Sequence, residues 1–274
     1  MILLRTMSLP PHTAAFARRL GEESGHRVCC VVDERNGEVD TRGFDKISVT
    51  RESVRAAGLH CPADVGWRCG DYGFYLARQR FPEEGFFWLF EYDVRLSGPH
   101  LGEFFERFDA AEDCHLIAAY YRRADPWWYW THTMAAREQG VWRCLFPVVR
   151  LSAPAIDLLH AERKAYAQRW NRLANWPNDE SFVATILTRA GLRCADLNDF
   201  GALLYDPTSY TFDVPLDGDG FDERSPPMKL FHPVLFGDDL KRKVRTMAWI
   251  NKGESLPRKV KRRLIDAVNR RSAA

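Results

Sequence analysis

The sequence predicts an α/β domain on a mixed, mostly parallel sheet flanked by helices, followed by a basic helical tail. Three observations predict it. Phe86-Phe87-Trp88-Leu89-Phe90 is a continuous apolar run, the pattern of a strand covered on both faces. The chain opens with two apolar runs, Ile2 to Met7 and Val28 to Glu34, separated by a helical pattern, which is a βαβ unit. The later run Trp142 to Ser152 again passes into a helical pattern, so strands and helices alternate as crossover connections require.

Composition sets the outer bounds. A chain of 274 residues with 46% apolar content buries a substantial core as one large domain. Nine Trp and 17 Phe exceed what such a core needs, which points to a lined cleft. Cys29, Cys30, Cys61, Cys69, Cys114, Cys144 and Cys194 form no C-x-x-C pair, so neither a disulfide framework nor a zinc knot is expected. With no apolar window of about 18 residues and no signal-like N-terminus, the expected location is cytoplasmic, peripheral at most on the inner membrane face. The net charge of +2 hides an asymmetry. Between Lys241 and Arg271, 12 Lys and Arg stand against Glu254 and Asp266, a local +10, while the other 27 basic and 35 acidic residues leave −8. The division expected is a main body over 1–238 and a basic tail over 239–274.

The elements follow in order. After the first strand, Ser8-Leu9-Pro10-Pro11 reads as a turn with Pro near a helix start, and the helix runs from about His12 to Glu23, ended by Gly25. The second strand finishes at Asp33, which either holds a nucleoside or caps the next turn. Lys46 to Thr50 reads as a short strand and Glu52 to Ala57 as a helical turn. Gly70 and Gly73 allow close backbone approach, and between them Asp71 reads first as an N-cap and second as a nucleotide contact. The central apolar strand then ends in Glu91 and Asp93, whose i, i+2 spacing puts both carboxylates on one side. Ligands of open α/β sheets gather beyond such strand ends, and two rigid oxygen donors suit Mg²⁺ or Mn²⁺. Acids at strand ends also serve as loop caps or salt-bridge partners.

Ser97-Gly98-Pro99 breaks the strand, Leu101 to Phe108 reads as a helix, and His115 to Tyr121 as a strand. Asp125 to Trp130 carries four aromatic rings, two read as core and two as site wall. A helix from Pro154 to about Arg172 follows the strand ending at Ser152. Another opens at Asn178-Asp179-Glu180, where first-turn carboxylates complement the macrodipole or, facing a metal site, act as a general base. Asp206 to Pro227 reads as a mobile loop over the site, after which His232, fixed by Pro233, is either structural or a metal ligand. In the tail, Leu240, Val244 and Met247, then Val260, Leu264, Ile265 and Val268, recur at helical spacing among the cations. That pattern reads as a solvated face, then as an anchor on anionic membrane; nucleic acid is not expected, because the body carries the opposite charge.

Taken together, the βαβ start ending in Val31-Val32-Asp33, the Glu91-Tyr92-Asp93 strand end, the step Pro147 to Ser152, the Asn178-Asp179-Glu180 helix start and the late His232 resemble nucleotide-sugar glycosyltransferases of the GT-A fold. The resemblance covers about residues 1–235 and implies a GT-A-like, Rossmann-like sheet. By that resemblance Asp93, His232 and Glu91 hold Mn²⁺ or Mg²⁺, with Glu91 a departure from the usual first Asp of a D-x-D pair. It further implies donor contacts at Asp33, Asp71, Tyr72 and Glu91, and a catalytic base at Glu180 with Asp179 beside it. The partners it implies are a nucleotide-sugar donor and a glycan or lipid-linked acceptor. Two other classes compete. A nucleotidyltransferase would carry a Gly-rich phosphate loop where this chain has Ser8-Leu9-Pro10-Pro11, and a non-catalytic carbohydrate-binding or scaffold protein would need the aromatics without the acids.

Overall fold

A computed structural model describes residues 1–134, 140–169 and 176–252 of the chain. The first apolar run is β1 (Ile2–Thr6), and Pro10-Pro11 opens α1 (Pro11–Ser24), which Gly25 ends in the left-handed conformation at φ 69°. Next come β2 (Val28–Asp33), β3 (Asp45–Val49), α2 (Arg51–Ala56), the single turn α3 (Val65–Arg68) and α4 (Tyr72–Arg80). The central run is β4 (Phe86–Glu91), followed by β5 (Arg95–Ser97), α5 (Gly102–Glu106), β6 (Leu116–Arg123) and α6 (Thr131–Met134). Then β7 (Trp142–Ser152) passes directly into α7 (Ala153–Arg169), and α8 (Asp179–Arg189) leads to β8 (Cys194–Asp196). The last described elements are β9 (Leu216–Asp217), β10 (Lys229–Phe231), β11 (Val234–Leu235) and α9 (Gly237–Lys252).

Among the described residues, seven strands form the main sheet in the order β3-β2-β1-β4-β7-β6-β8. Only the β4–β7 and β6–β7 pairings are antiparallel, so six strands run one way and β7 runs against them. This is the mixed, mostly parallel sheet that the sequence predicts. Both faces are covered, as the unbroken run at Phe86–Phe90 requires: Phe87 and Leu89 join a core with α4, α7 and α8, while Trp88 and Phe90 join another with α1 and α5. Trp88 lies within 6.3 Å, centroid to centroid, of Phe90, Phe104, Phe105 and Phe108.

The register decides where the chemistry falls. Arg5 pairs with Glu91 and with Val31, so the carboxyl ends of β1, β2 and β4 share one edge. Because β7 runs the other way, its first residues reach that same edge, and Trp142 N–H bonds Thr185 of α8 there. The late segment is stitched to it as well. β10 pairs with β5, and the Val234 N–H donates to the Asp93 carbonyl at 2.7 Å.

Several expectations change. Asp206 to Pro227 is tied down: Tyr210 is buried and bridges to His232, β9 pairs with β11, and Asp206 holds Lys229. Of the four clustered rings, Trp130 is buried, Trp128 and Tyr129 are half-buried and Trp127 is 86% exposed. α9 begins at Gly237 and so crosses the expected boundary at 238. The tail pattern from Val260 to Val268 and the end of the helix expected to reach Arg172 lie outside the described residues. Among the described residues no helix is long and apolar enough to cross a membrane.

Candidate active site

Two clusters meet at the shared edge. The first is Glu91, Asp93 and His232, each with one ligand atom within 4.8 Å of the others. Glu91 ends β4, Asp93 follows two residues on, and His232 comes from the segment after β10. His232 is oriented by its backbone and its ring: its N–H donates to the Ser209 carbonyl at 2.9 Å, and Nδ1 donates to the Thr211 carbonyl. That bond leaves Nε2, 3.6 Å from Asp93 Oδ1, as the free ring nitrogen. Asp93 Oδ1 is buried and, among the described residues, accepts no hydrogen bond. An oxygen without a partner, a second carboxylate and an oriented imidazole fit a divalent cation of the Mg²⁺ or Mn²⁺ kind.

The second cluster is the start of α8. Asn178 caps this helix, its side chain accepting from the Ser181 N–H at 3.1 Å. Asp179 is buried; its Oδ2 accepts from the Gly70 N–H at 2.7 Å and its Oδ1 from the Glu180 N–H at 2.8 Å. Burial pushes the Asp179 carboxyl up to about 7, with Arg5 and the Gly70 bond opposing and Asp71 and Glu91 reinforcing. Glu180 is half-buried beside it, bonded by Asn178 Nδ2 at 3.3 Å. Burial and the Asp179 charge push it up to about 8 against the pull of Arg143. A carboxyl poised there exchanges protons near neutral pH.

Arg5 joins the clusters. Its Nη2 is 3.1 Å from Glu91 Oε1 and 3.2 Å from the Gly66 carbonyl, and its Nη1 is 3.6 Å from Asp179 Oδ2. Burial works against its charge, but Glu91, Asp179 and Asp93 outweigh that and hold it protonated. Gly70 lets Arg5 stand there, because a Cβ at that position would sit 1.7 Å from Arg5 Nη1 and 2.7 Å from Asp179 Oδ2, and the side chains would have to shift. Sequence reasoning passes over Arg5 as a break in an apolar run. A lone cation closing an otherwise apolar strand was the available signal. Lys243 of α9 was also missed: its Nζ donates to the Phe212 carbonyl at 2.9 Å, and burial lowers its pKa while Asp93 and Asp213 raise it. Its charge therefore lies in the field of the first cluster.

Asp71 and Tyr72 lie in the interior. Asp71 makes no side-chain cap bond to α4; it is fully buried, clasped by Arg163 at 2.7 and 3.1 Å and bonded by Tyr75 Oη at 2.7 Å. Tyr72 is fully buried and donates its hydroxyl to the His60 carbonyl at 2.8 Å. Neither presents a polar atom to a ligand, because each is already satisfied inside the protein. Asp33 does lie at the edge. It accepts from the Arg35 backbone N–H at 3.3 Å and is gripped by the Arg35 guanidinium at 2.6 and 2.7 Å, which is the turn-closing alternative. Two surface hollows, of about 230 Å³ beside His160 and about 240 Å³ beside Phe231, are lined by none of these edge residues.

No family model matches the chain, and no curated protein matches it. Among solved structures, the galactosyltransferase LgtC in complex with donor and acceptor sugar analogs is 12% identical, with 85% of this chain and 86% of that chain covered and a TM-score of 0.45. An active-site mutant of LgtC is 11% identical over 94% and 98%, with a TM-score of 0.47. A glycosyltransferase involved in the glycosylation of the major capsid of PBCV-1 is 10% identical over 71% and 79%, with a TM-score of 0.39.

Proposed function

We propose that the protein is a glycosyltransferase that moves a sugar from a nucleoside-diphosphate sugar to a hydroxyl of a glycan or lipid-linked acceptor. The observation that carries this reading is the meeting, at one sheet edge, of an orphaned metal-type triad and an elevated acid pair bridged by Arg5. Glu91, Asp93 and His232 would hold Mn²⁺ or Mg²⁺, which would supply positive charge against the donor diphosphate. Lys243 adds a cation from α9 on the same side. Asp33, in this reading, meets the nucleoside across its Arg35 clasp.

Glu180, once ionised, takes the proton of the acceptor hydroxyl while that oxygen bonds to the anomeric carbon. The bond from that carbon to the diphosphate oxygen breaks and its electron pair leaves with the nucleotide, which inverts the anomeric configuration. Asp179 stays bonded to Gly70 and fixes the backbone on which Glu180 stands. The acid pair separates this reading from a carbohydrate-binding scaffold, which needs no group titrating near neutral pH.

Thermal-shift measurements with UDP, GDP, CMP and dTDP, each with Mn²⁺ and with EDTA, test the proposal. A nucleotide at about 100 times its Kd adds roughly 2.7 kcal/mol of stability. Stabilisation by one nucleotide only with metal, and inverted product anomers by NMR, are the expected results; folded protein that no nucleotide stabilises refutes it. The proposed location is cytoplasmic and peripheral, with the exposed Lys241, Arg242 and Arg245 of α9 on anionic lipid at about 1 kcal/mol per cation near the surface. Cosedimentation with phosphatidylserine vesicles that is no stronger than with phosphatidylcholine vesicles would remove that part.

A further inference from the structure

We propose that Arg163 is a positioning residue for the Asp179–Glu180 pair: with Asp71 it forms a buried clamp that fixes the start of α8 against the Gly70 turn. The proposal rests on the reading of that pair as the acid–base centre. Arg163 lies on α7 and is fully buried. Its Nη1 donates to the Pro177 carbonyl at 3.0 Å, and its Cζ lies 3.8 Å from the centroid of the Phe182 ring. It therefore grips the chain on both sides of residues 179 and 180. Its other nitrogens, Nε and Nη2, bond the two oxygens of Asp71 at 2.7 and 3.1 Å. Asp71 follows Gly70 directly, and Gly70 N–H holds Asp179. One guanidinium thus controls both partners of the hydrogen bond that places the acid pair.

Stability alone does not account for this arrangement. A buried ion pair is often replaced by apolar residues of similar volume without loss of stability, whereas a forked guanidinium with five directional donors fixes geometry. Tyr75 completes the clamp through its bond to Asp71 Oδ2. The charged and titratable groups facing the acid pair are Arg5 from β1, Cys69 and Asp71 from the turn before α4, Glu91 from β4, and Arg143 and Cys144 from β7. Arg163 is none of their direct partners except Asp71, so its effect on the pair is through position.

The test uses the full chain with Arg163→Lys, which keeps the charge and loses the fork, and Tyr75→Phe, which removes one bond to Asp71. Melting temperature, stabilisation by UDP or GDP with Mn²⁺, turnover of whichever of UDP-glucose, UDP-galactose or GDP-mannose the wild type uses, and the carbon-detected NMR titration of Glu180 are measured. Misplacing a reactive group by about 1 Å costs on the order of 100-fold, so kcat of Arg163→Lys should fall by about that factor with nucleotide stabilisation kept. The Glu180 midpoint should drop from about 8 toward ordinary carboxylate values as water enters the loosened helix start. Folded Arg163→Lys with wild-type kcat and an unmoved midpoint overturns the proposal. If Arg163→Lys does not fold, Tyr75→Phe decides, and an unmoved midpoint there overturns it equally. Absence of nucleotide stabilisation in the wild type would defeat the glycosyltransferase reading, and the titration would still decide the clamp.

Discussion

Replacing Glu180 by Gln should stabilise the protein at high pH and change it little at low pH. The folded carboxyl titrates at about 8 and an unstructured one near 4.5, so across that interval the native state holds a proton that the unfolded state has lost. Under linkage, the free energy of unfolding then falls as pH rises from about 4.5 and levels off above about 8. The stability is present on the acid side and lost on the alkaline side, the reverse of a salt-bridged carboxylate. At roughly 1.36 kcal/mol per unit, the displacement sets an upper bound of about 5 kcal/mol. Part of it belongs to Asp179, which titrates with its neighbour, so a single substitution should recover about 1–3 kcal/mol. For a chain of this size each kcal/mol is about 2–4 °C in Tm. Melts of wild type and Glu180→Gln in EDTA at pH 5 and 8.5 should show nearly equal Tm at pH 5 and a variant several degrees more stable at 8.5. A Tm difference independent of pH, or one that favours the wild type more as pH rises, would refute the placement of this carboxyl. The same variant should lose transfer by about 10²–10⁴-fold while keeping metal-dependent nucleotide binding.

Other substitutions probe the remaining parts. Asp93→Asn removes the orphaned oxygen's charge and should abolish the extra stabilisation that Mn²⁺ gives a bound nucleotide, measured as a Tm difference between Mn²⁺ and EDTA; an undiminished difference removes Asp93 from the metal site. Gly70→Ala places a methyl group 1.7 Å from Arg5 Nη1; since a side-chain tip can swing away, the protein should fold with about 1–3 kcal/mol lost in urea melts, but with transfer activity reduced far more than that loss explains. Wild-type activity in the alanine variant would show that Arg5 need not stand where it does. Trp88→Ala empties the aromatic cluster under β4 and should cost about 3–5 kcal/mol without altering nucleotide selectivity.

How far the sequence discloses these features depends on whether the information is local. Strand and helix patterns carry their own periodicity, and the unbroken Phe86–Phe90 run announces burial on both faces, so the sheet and its central strand are legible. Gly25 and Asn178 mark helix ends by backbone and capping chemistry that needs no tertiary partner. The triad is legible in part, because Glu91 and Asp93 share a strand end, while His232 reaches it only through the β5–β10 pairing. Asp71 fails for the opposite reason. Between two glycines before a helix it has every local mark of a cap, yet its partner Arg163 lies 92 positions away on another helix. Arg5 looks like a flaw in a strand until the parallel register sets it beside Glu91.

Charge balance at the edge ties these parts together. Glu91, Asp93, Asp179 and Glu180 gather there, with Asp71 just behind. Arg163 is committed to Asp71, so Arg5 must serve Glu91 and Asp179 at once, and Arg143 and Lys243 act from the flanks. Lys243 apart, that leaves the site short of positive charge on the Asp93 side, where an oxygen lies buried without a hydrogen-bond partner among the described residues and an imidazole is turned toward it. Near Asp179 and Glu180 burial, reinforced by the neighbouring carboxylates, favours retained protons, which is why both titrate high. A dication in the triad would relieve the first deficit and draw Glu91 from Arg5, leaving the guanidinium freer to hold Asp179 as an anion. The two clusters are therefore expected to work as one electrostatic unit, with Arg5 as its shared counterion.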